Sequence, residues 1–353
     1  MKYFSLTILL LCCLLLFNSC LEVIEFNVPK DFQNSVVISG KIVKGNPSVV
    51  EVRIQNLFDF SFEDIVYVRA QKVRVLNSKG QQLEIPVSGV GIYSLEIYHD
   101  SDFEIETGGE YFVEVDLFNG KSFKSKPAKM MPVPKMKKVD FNLFEKEIIT
   151  FREKKEIQIW IEYLMSTEIR STQNAEPTNL KWEFTRTYKQ TDNSAKVCYS
   201  TREVSFDQIS LVSAKSIGTS SLQNFPVLEQ IVSSSIVEGQ YVTFVQESLD
   251  EGALKYWSDI RELSINSGTF YEPPPGKLIT NFETAKNTEG SVFGYFYATE
   301  QDTLRVFIDG SAINQKRRVC PRTVISNTGI CDDCCDCETL PNSTTQKPSF
   351  WVD

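Results

Sequence analysis

Cysteine is the residue type with the most distinctive chemistry in this chain of 353 residues, which contains nine of them. Two, Cys12 and Cys13, lie in an apolar N-terminal run, and Cys20 follows that run closely. The other six are Cys198, Cys320, Cys331, Cys334, Cys335 and Cys337. Thiols at this density either oxidise to disulfides or bind a metal as thiolates, and the redox state of the compartment decides between the two.

The N-terminal residues indicate that compartment. Residues 6–17 are almost entirely apolar, and this run is shorter than the roughly 20 residues that cross a bilayer. It matches the hydrophobic region of a secretory signal peptide. The run is followed by Ser19-Cys20, which resembles the lipobox of bacterial lipoproteins, although Phe17 and Asn18 depart from the strict motif.

We therefore predict a signal peptide over residues 1–19 and a lipid anchor with its tether over residues 20–34. Acyl chains on the sulfur and the amine of Cys20 would anchor the chain stably without a membrane-spanning helix. The alternative is an ordinary signal peptide cleaved near Ser19. Both interpretations place the mature chain in an oxidising envelope compartment.

In such a compartment an even number of cysteines favours disulfides. Cys198 lies far upstream of the C-terminal cluster, so we expect at least one bridge to tie the tail to the central part of the chain. Closing so long a loop contributes about 4 kcal/mol in the chain-entropy model. The alternative is a metal site that uses Cys331, Cys334 and the flanking aspartates.

A run of alternating acids is a second feature with possible ligand chemistry. If this segment is extended, its carboxylates share one face and offer the hard oxygen ligands that calcium prefers. The four residues are Asp100, Asp102, Glu104 and Glu106. The competing interpretation is a solvated strand edge that discourages pairing with other strands. We name the segment as a calcium candidate and predict no cofactor.

Histidine chemistry is limited by the presence of a single histidine, His99. It lies in the polar segment Tyr98-His99-Asp100-Ser101-Asp102, which is typical of a loop, so neither a nucleophilic triad nor a histidine zinc site is indicated. The sequence has no glycine-rich phosphate loop. An acid-dependent hydrolase would need two carboxylates that face each other, and no motif indicates such a pair. We predict a non-enzymatic protein without catalytic residues.

Composition agrees with a folded protein that does not bind nucleic acid. Hydrophobic residues make up 42% of the chain and charged residues 24%, which is usual for a globular protein. The net charge of −9 disfavours nucleic acid as a partner, because no basic stripe is available to replace phosphate counterions. The length predicts two domains and a tail.

The first domain reads as a series of short strands. Period-two alternation predicts strands at 36–38, 49–54, 72–76, 92–97 and 111–117. The pair Asn119-Gly120 predicts a hairpin after the last of these. Regular spacing between short strands is typical of an immunoglobulin-like β-sandwich, which we assign to residues 35–127. The proline-rich segment that follows predicts a linker over residues 128–137.

The second domain, residues 138–319, reads as longer strands and one helix. Alternation predicts strands at 156–163, 180–188, 240–246, 291–298 and 303–308. Ser248 and Glu251 form a capping box, which predicts a helix over 249–266. Tyr256 and Trp257 lie on its apolar stripe, so we expect them to pack in the core. Residues 320–353 form the cysteine-rich tail, and the fold class is mainly β.

Several short motifs follow one another along the chain. They are Cys20, Val36-Val37-Ile38-Ser39-Gly40, Gly91-Ile92-Tyr93, Gly109-Glu110-Tyr111, Trp182-Glu183-Phe184, Tyr256-Trp257, Asn281, Gly294-Tyr295-Phe296 and Lys347-Pro348-Ser349-Phe350-Trp351. Together they resemble a large family of Bacteroidota outer-membrane lipoproteins known only as a domain of unknown function, often encoded beside TonB-dependent receptors. The resemblance covers nearly the whole mature chain, but the tail lacks the glycines that the family usually has near Leu340.

The resemblance implies an envelope location and an outer-membrane partner, and it carries over no catalytic residues. We expect an accessory subunit of an outer-membrane β-barrel complex, with a TonB-dependent transporter or the barrel-assembly machinery. The alternative is a free-standing surface protein that binds a glycan or a peptide in a pocket walled by Trp160 or Trp182. Glu22 and Glu25 loosely resemble an acidic surface-export signal, which favours the cell surface over the periplasmic face.

Overall fold

The computed structural model describes residues 35–57, 65–150, 153–171, 176–204, 208–265, 279–284, 291–313 and 336–352. Six predictions fall outside these residues: the signal peptide, the lipid attachment at Cys20, the tether, the export signal at Glu22 and Glu25, any bridges made by Cys320, Cys331, Cys334 and Cys335, and the alternative metal site at Cys331 and Cys334. The described part of the chain is mainly β with a single α-helix, so the predicted fold class is confirmed. No helix in this part is long and apolar enough to cross a membrane.

Nine strands lie in the region predicted as the first domain and at its boundary. All five predicted strands are present, most of them one or more residues longer than the pattern indicated. The nine strands are β1 (Val36–Lys44), β2 (Ser48–Asn56), β3 (Ala70–Asn77), β4 (Gln82–Glu84), β5 (Val87–Gly89), β6 (Ile92–Ile97), β7 (Glu110–Leu117), β8 (Ser122–Ser125) and β9 (Ala128–Lys129).

The rest of the described chain adds eleven strands and the helix. Two long strands, β10 and β15, were not predicted. The elements are β10 (Met136–Ile149), β11 (Lys155–Glu168), β12 (Asn179–Thr191), β13 (Val197–Glu203), β14 (Ser210–Val212), β15 (Ser221–Ile231), β16 (Gln240–Leu249), α1 (Glu251–Ile265), β17 (Phe282–Thr284), β18 (Val292–Phe293), β19 (Phe296–Ile308) and β20 (Ser343–Thr344).

Three sheets organise these strands. An eleven-stranded sheet has the order β20-β13-β12-β16-β19-β1-β2-β6-β5, with β14 beside β12 and β18 beside β1. A six-stranded sheet has the order β17-β8-β7-β3-β4, with β9 beside β7, and a three-stranded sheet has the order β10-β11-β15. The end of the large sheet with β1, β2 and β6 packs against the six-stranded sheet, and the end with β12 and β16 packs against the three-stranded sheet.

Alternation along the strands builds the two cores. In the first, fully buried Ile38 and Ile42 of β1 meet Val50, Val52 and Ile54 of β2, because every second side chain points to the same face. The second core lies between strands β12, β16 and β19 of the large sheet and the three-stranded sheet. Its central residues are Ile161, Tyr163, Met165, Leu180, Trp182, Phe244 and Ile308.

We call the part of the molecule around each core a body, and strand β19 joins the two bodies. Its first residues pair in parallel with β1, from Gly40↔Phe296 to Lys44↔Glu300, and its later residues pair with β16. The predicted strands at 291–298 and 303–308 are therefore β18 and one long strand. Asn281 fixes this segment, because its amide donates to the Phe296 carbonyl at 2.7 Å and accepts from the Phe296 amide at 2.9 Å.

The segment predicted as a linker packs between the two bodies. Met130 is fully buried in the first core. Further along, the carbonyl of Pro134 accepts a hydrogen bond of 2.6 Å from the side chain of Gln246 in β16. Both contacts hold the proline-rich segment against the large sheet.

The predicted helix is present, but the prediction that Ser248 caps it was wrong. Ser248 is the penultimate residue of β16, is buried, and donates to the carbonyl of Met131. Asp250 caps α1 instead, since its carboxylate accepts a hydrogen bond of 2.7 Å from the amide of Ala253. Both Ser248 and Asp250 suit a cap by residue type, and only the length of β16 decides between them.

Candidate functional site: a hairpin arm and the cleft at its base

The longest hairpin of the described chain extends beyond the body that supports it. β10 and β11 pair from Val139↔Met165 out to Ile149↔Lys155. β15 pairs with β11 only from Trp160 inward. Among the described residues, 145–149 and 155–159 therefore form a two-stranded ribbon with no third strand beside it, and we call this ribbon the arm. At its base the Ile159 carbonyl accepts a hydrogen bond of 2.9 Å from the amide of Val232. Such a ribbon is marginally stable in water by itself.

The apolar face of the core continues onto the arm. Ile161 of β11 is fully buried, and Ile157, on the same face four residues earlier, is 69% exposed. On β10, Ile149 shares this face, because it lies next to the Glu147↔Ile157 pair, and it is 73% exposed. Leu143 and Phe141 extend the exposed face toward the body. We call Ile149 and Ile157 the arm stripe.

Charged residues border the arm stripe. Lys155 forms an ion pair of 2.6 Å with Glu147 across the ribbon. On the opposite face, Lys146 forms an ion pair of 2.9 Å with Glu229 of β15 and lies 4.5 Å from the centre of the Trp160 ring. The contacts of Lys146 attach one face of the ribbon to the body. The arm stripe, on the other face, is not covered by the described residues.

A cleft of about 460 Å³ opens at the base of the arm. Its wall is formed by β11, β15, the segment around β14 and helix α1. The apolar lining residues are Trp160, Ile209, Leu211, Phe225, Pro226, Val227 and Leu228. The polar ones are Gln208, Ser210, Glu229 and Arg261.

Two groups in the cleft wall have no partner among the described residues. The indole N–H of Trp160 is buried without a hydrogen bond. The guanidinium of Arg261 forms no ion pair or hydrogen bond within the described chain. Glu229, in contrast, is neutralised by Lys146. Among the described lining residues Glu229 is the sole carboxylate, so the cleft does not present two facing acids.

The two tryptophans considered from the sequence have different environments. Trp160 lines the cleft, whereas Trp182 is 2% exposed and donates its indole N–H to Gln246 at 3.0 Å. Trp182 therefore belongs to the core. Trp257 of α1 packs over Lys181, whose ammonium lies 4.2 Å from the ring centre, and Tyr256 stacks on Tyr295.

A buried charge network lies on the sheet face beneath α1. Glu247 has no exposed surface and pairs with Lys41 and Lys181, each at 2.7 Å. Burial by itself would raise the pKa of Glu247, but the two ammonium groups hold it well below its ordinary value. Tyr297 donates to Glu247 at 3.1 Å, and burial raises the pKa of this tyrosine. None of these residues lines the cleft at the base of the arm, and we assign the network a structural role.

The run of acids between β6 and β7 is not a strand in the structure. His99 and Asp100 lie in an exposed turn, and the residues up to Glu106 are irregular. Glu104 and Glu106 both pair with Lys79 instead of sharing a free face with the two aspartates. Within the described residues no group of three or more acidic, cysteine or histidine side chains is placed to hold a metal ion.

One predicted link between the tail and the central region is present. Cys198 of β13 forms a disulfide with Cys337, 139 positions away. Nearby, Lys196 pairs with Asp336 and Glu338, and β20 pairs with β13. Trp351 packs against Tyr199, Tyr241 and Phe307. The tail is therefore clamped by covalent, ionic and aromatic contacts at once.

The arm was missed because β10 itself was missed. Its sequence alternates at Val139, Phe141 and Leu143, which was a usable signal. From Glu145 to Glu147 three consecutive charged residues interrupt the pattern. Arg261 carried no signal, since a charged residue in an amphipathic helix ordinarily faces solvent.

Comparisons with known proteins give one informative result. A search of the curated proteins finds no match. Among solved structures, a crystal structure of a Salmonella alpha-2-macroglobulin mutant is 12% identical, with a TM-score of 0.19. The similarity covers 65% of this chain and 14% of that chain, and at this TM-score it carries no argument. A family model described as a domain of unknown function, DUF4249, matches residues 22–305. Because this match spans most of the chain, the protein belongs to the DUF4249 family.

Proposed function

We propose that the protein is a non-enzymatic, lipid-anchored docking subunit of an outer-membrane β-barrel complex, on the cell surface. Acyl chains on Cys20 would hold it at the membrane, and the arm would contact the partner. A TonB-dependent transporter or the barrel-assembly machinery is the partner class that we propose. The observation that carries the proposal is the arm stripe, an extension of the core face with nothing in the described chain to cover it.

The energetics favour a partner over a free arm. Exposure of an isoleucine side chain to water is unfavourable. Burying one against a partner is favourable by about 1.5–3 kcal/mol relative to leaving it exposed. Here two of them are on a ribbon that lacks a third strand, so a partner that covers the face would stabilise the ribbon as well. Exposed apolar surface rimmed by charged residues is typical of protein interaction sites.

Co-purification tests the docking role. The full-length lipoprotein would be extracted from its membrane in mild detergent, and the retained barrel protein quantified by mass spectrometry. We expect a stoichiometric barrel partner with the unmodified chain. The double variant Ile149→Asp/Ile157→Asp should reduce the partner at least about tenfold, since it places two charges in an apolar contact.

The control for this experiment is Phe118→Asp. Phe118 is 72% exposed, close to the value for Ile149, but it lies at a hairpin turn of the first body. We expect this variant to keep the partner at the unmodified level. Recovery of the lipoprotein alone from the unmodified chain, or equal loss in both variants, would contradict the proposal.

The cleft supports a second candidate function, a free-standing binder of a glycan or peptide ligand. The specific observation is that Trp160 lines a cleft of about 460 Å³, within the usual size of small-molecule sites. A screen that follows tryptophan fluorescence would detect such a ligand. The signal change should disappear in Trp160→Phe, whereas a change that persists in this variant would place the ligand elsewhere.

A further inference from the structure

We propose that the cleft binds a small organic carboxylate with an apolar body. This inference goes beyond the docking role. It rests on the second candidate function and deepens it, because it names the ligand class for the same cleft. Three features carry it: an apolar wall, a guanidinium without a partner among the described residues, and an acid that is already neutralised.

The wall suits an apolar body. Trp160, Phe225, Pro226 and Leu211 present ring and aliphatic surface to the cleft. Apolar side chains of this kind bind an aromatic or aliphatic group. A ligand that fills the cleft would therefore have an apolar body, with polar groups where it meets Gln208, Ser210 and Arg261.

The charge in the cleft selects an anion. Arg261 reaches the cleft from α1, and its guanidinium has no partner among the described residues. A guanidinium offers a planar pair of donors that matches a carboxylate. Glu229, which would repel an anion, is paired with Lys146 at 2.9 Å. The net charge that the cleft presents to a ligand is consequently positive.

The Trp160 ring is held in place from the arm. Lys146 lies 4.5 Å from the ring centre, a cation–π contact, while its ammonium also pairs with Glu229. One lysine of the arm thus both fixes the aromatic wall and neutralises the acid. The cleft is therefore pre-formed by contacts that do not depend on the ligand.

A matched pair of probes tests the inference. 4-Phenylbutyrate and 4-phenylbutan-1-ol share an apolar body and differ in the carboxylate. Each would be titrated into the mature, disulfide-intact protein by isothermal calorimetry at neutral pH. We expect the acid to bind about tenfold tighter than the alcohol, because the carboxylate gains a charge-assisted hydrogen bond.

Variants assign the effect to the cleft. Arg261→Gln should remove the preference for the acid and leave the affinity for the alcohol unchanged. Trp160→Leu should weaken both probes by a similar factor, since it removes part of the shared apolar wall. Lys255→Gln is the control, because it removes a positive charge from the same helix at a residue that does not line the cleft. It should keep the full preference.

The outcomes distinguish the preference for a carboxylate from the binding of apolar ligands in general. Equal affinity of both probes for the unmodified protein, or a preference that survives Arg261→Gln, overturns the inference and leaves a cleft that binds apolar ligands. Binding of neither probe at millimolar concentration overturns the inference, whereas the fluorescence screen with Trp160→Phe decides the second candidate function. The docking role is decided separately by co-purification.

Discussion

Glu247 illustrates how much a single buried residue contributes to the assembly of this protein. It lies in β16 with no exposed surface, and its two lysine partners come from β12 and from β1 of the other body. Lys41 and Glu247 are 206 positions apart. An ion pair of this kind specifies which strands face each other, because either partner alone would be a buried, uncompensated charge.

Replacing this acid should therefore be costly. We expect Glu247→Gln to lower the free energy of unfolding by about 3 kcal/mol, since it leaves the ammonium of Lys181, only 4% exposed, with weaker compensation. Urea unfolding followed by circular dichroism would measure the change. Glu51→Gln, which breaks an exposed pair with Arg53, should cost less than about 1 kcal/mol. Similar costs in both variants would contradict this account.

The same residue predicts a pH dependence. The pKa of Glu247 is depressed in the folded state, so its stabilising contribution is complete above the unfolded value of about 4.3 and is lost as pH falls through the lower folded pKa. We expect the free energy of unfolding to fall between about pH 5 and pH 2, and to fall less in Glu247→Gln. Identical pH profiles for the two proteins would exclude Glu247 as a source of the acid sensitivity.

At the scale of elements, the arm has the weakest support of the long strands. Beyond Trp160 its backbone pairing is the single β10–β11 ladder, apart from the Ile159 carbonyl, which accepts from the amide of Val232. Ile149 and Ile157 of the arm are exposed. Amides in such segments open with a small fraction of the global free energy. We expect residues 145–149 and 155–159 to exchange hydrogen much faster than residues 161–165, as measured by mass spectrometry.

Partner binding should slow that exchange. In the purified complex the arm peptides should gain protection, whereas the exchange of peptides around Phe118 should stay unchanged. Strong protection of the arm in the isolated protein would show that it is not a free ribbon.

The helix cap gives a second prediction at this scale. Asp250→Ala should lower the free energy of unfolding by about 1 kcal/mol, because it removes the acceptor for the first-turn amide of Ala253. Asp259→Ala is a suitable comparison on the same helix, since it removes only the exposed pair with Lys255, and it should cost at most about 0.5 kcal/mol. Denaturant midpoints at neutral pH measure both. Equal midpoints would show that Asp250 does not cap the helix.

At the scale of the whole molecule, one sheet joins both bodies, and the disulfide between Cys198 and Cys337 joins the tail to that sheet. The double variant Cys198→Ser/Cys337→Ser opens a loop of 139 positions, which should lower stability by about 2–5 kcal/mol. Limited proteolysis with mass spectrometry should show faster cleavage within the tail after residue 336, because the covalent part of its clamp is lost.

The control for the disulfide is Trp351→Ala. Trp351 belongs to the same clamp through its contacts with Tyr199 and Tyr241, so this variant loosens the end of the tail while the bridge stays closed. We expect its tail to be cleaved more slowly than that of the double cysteine variant, because the bridge still ties Cys337 to β13. Unchanged proteolysis and unchanged stability in the double cysteine variant would show that the non-covalent contacts suffice.

Much of the fold followed from local chemistry. Strands such as β2, β6 and β7 alternate cleanly, because one of their faces is buried and the other meets solvent, and this pattern is written in adjacent residues. The separation of Cys198 from the cysteines of the tail already indicated a bridge over a long distance. The predicted signal peptide, the lipid attachment at Cys20 and the outer-membrane partner remain predictions.

What only the tertiary structure decided concerns surfaces and long-range pairs. Ile149 and Ile157 have the same residue type as buried Ile161, but they lie on the part of the hairpin that the second core does not reach. Likewise, the place of Arg261 in the cleft wall and the buried pairing of Glu247 depend on elements far away in the chain. Residue type and spacing determine which side of a strand is apolar, but whether that side is covered depends on which distant segments pack against it.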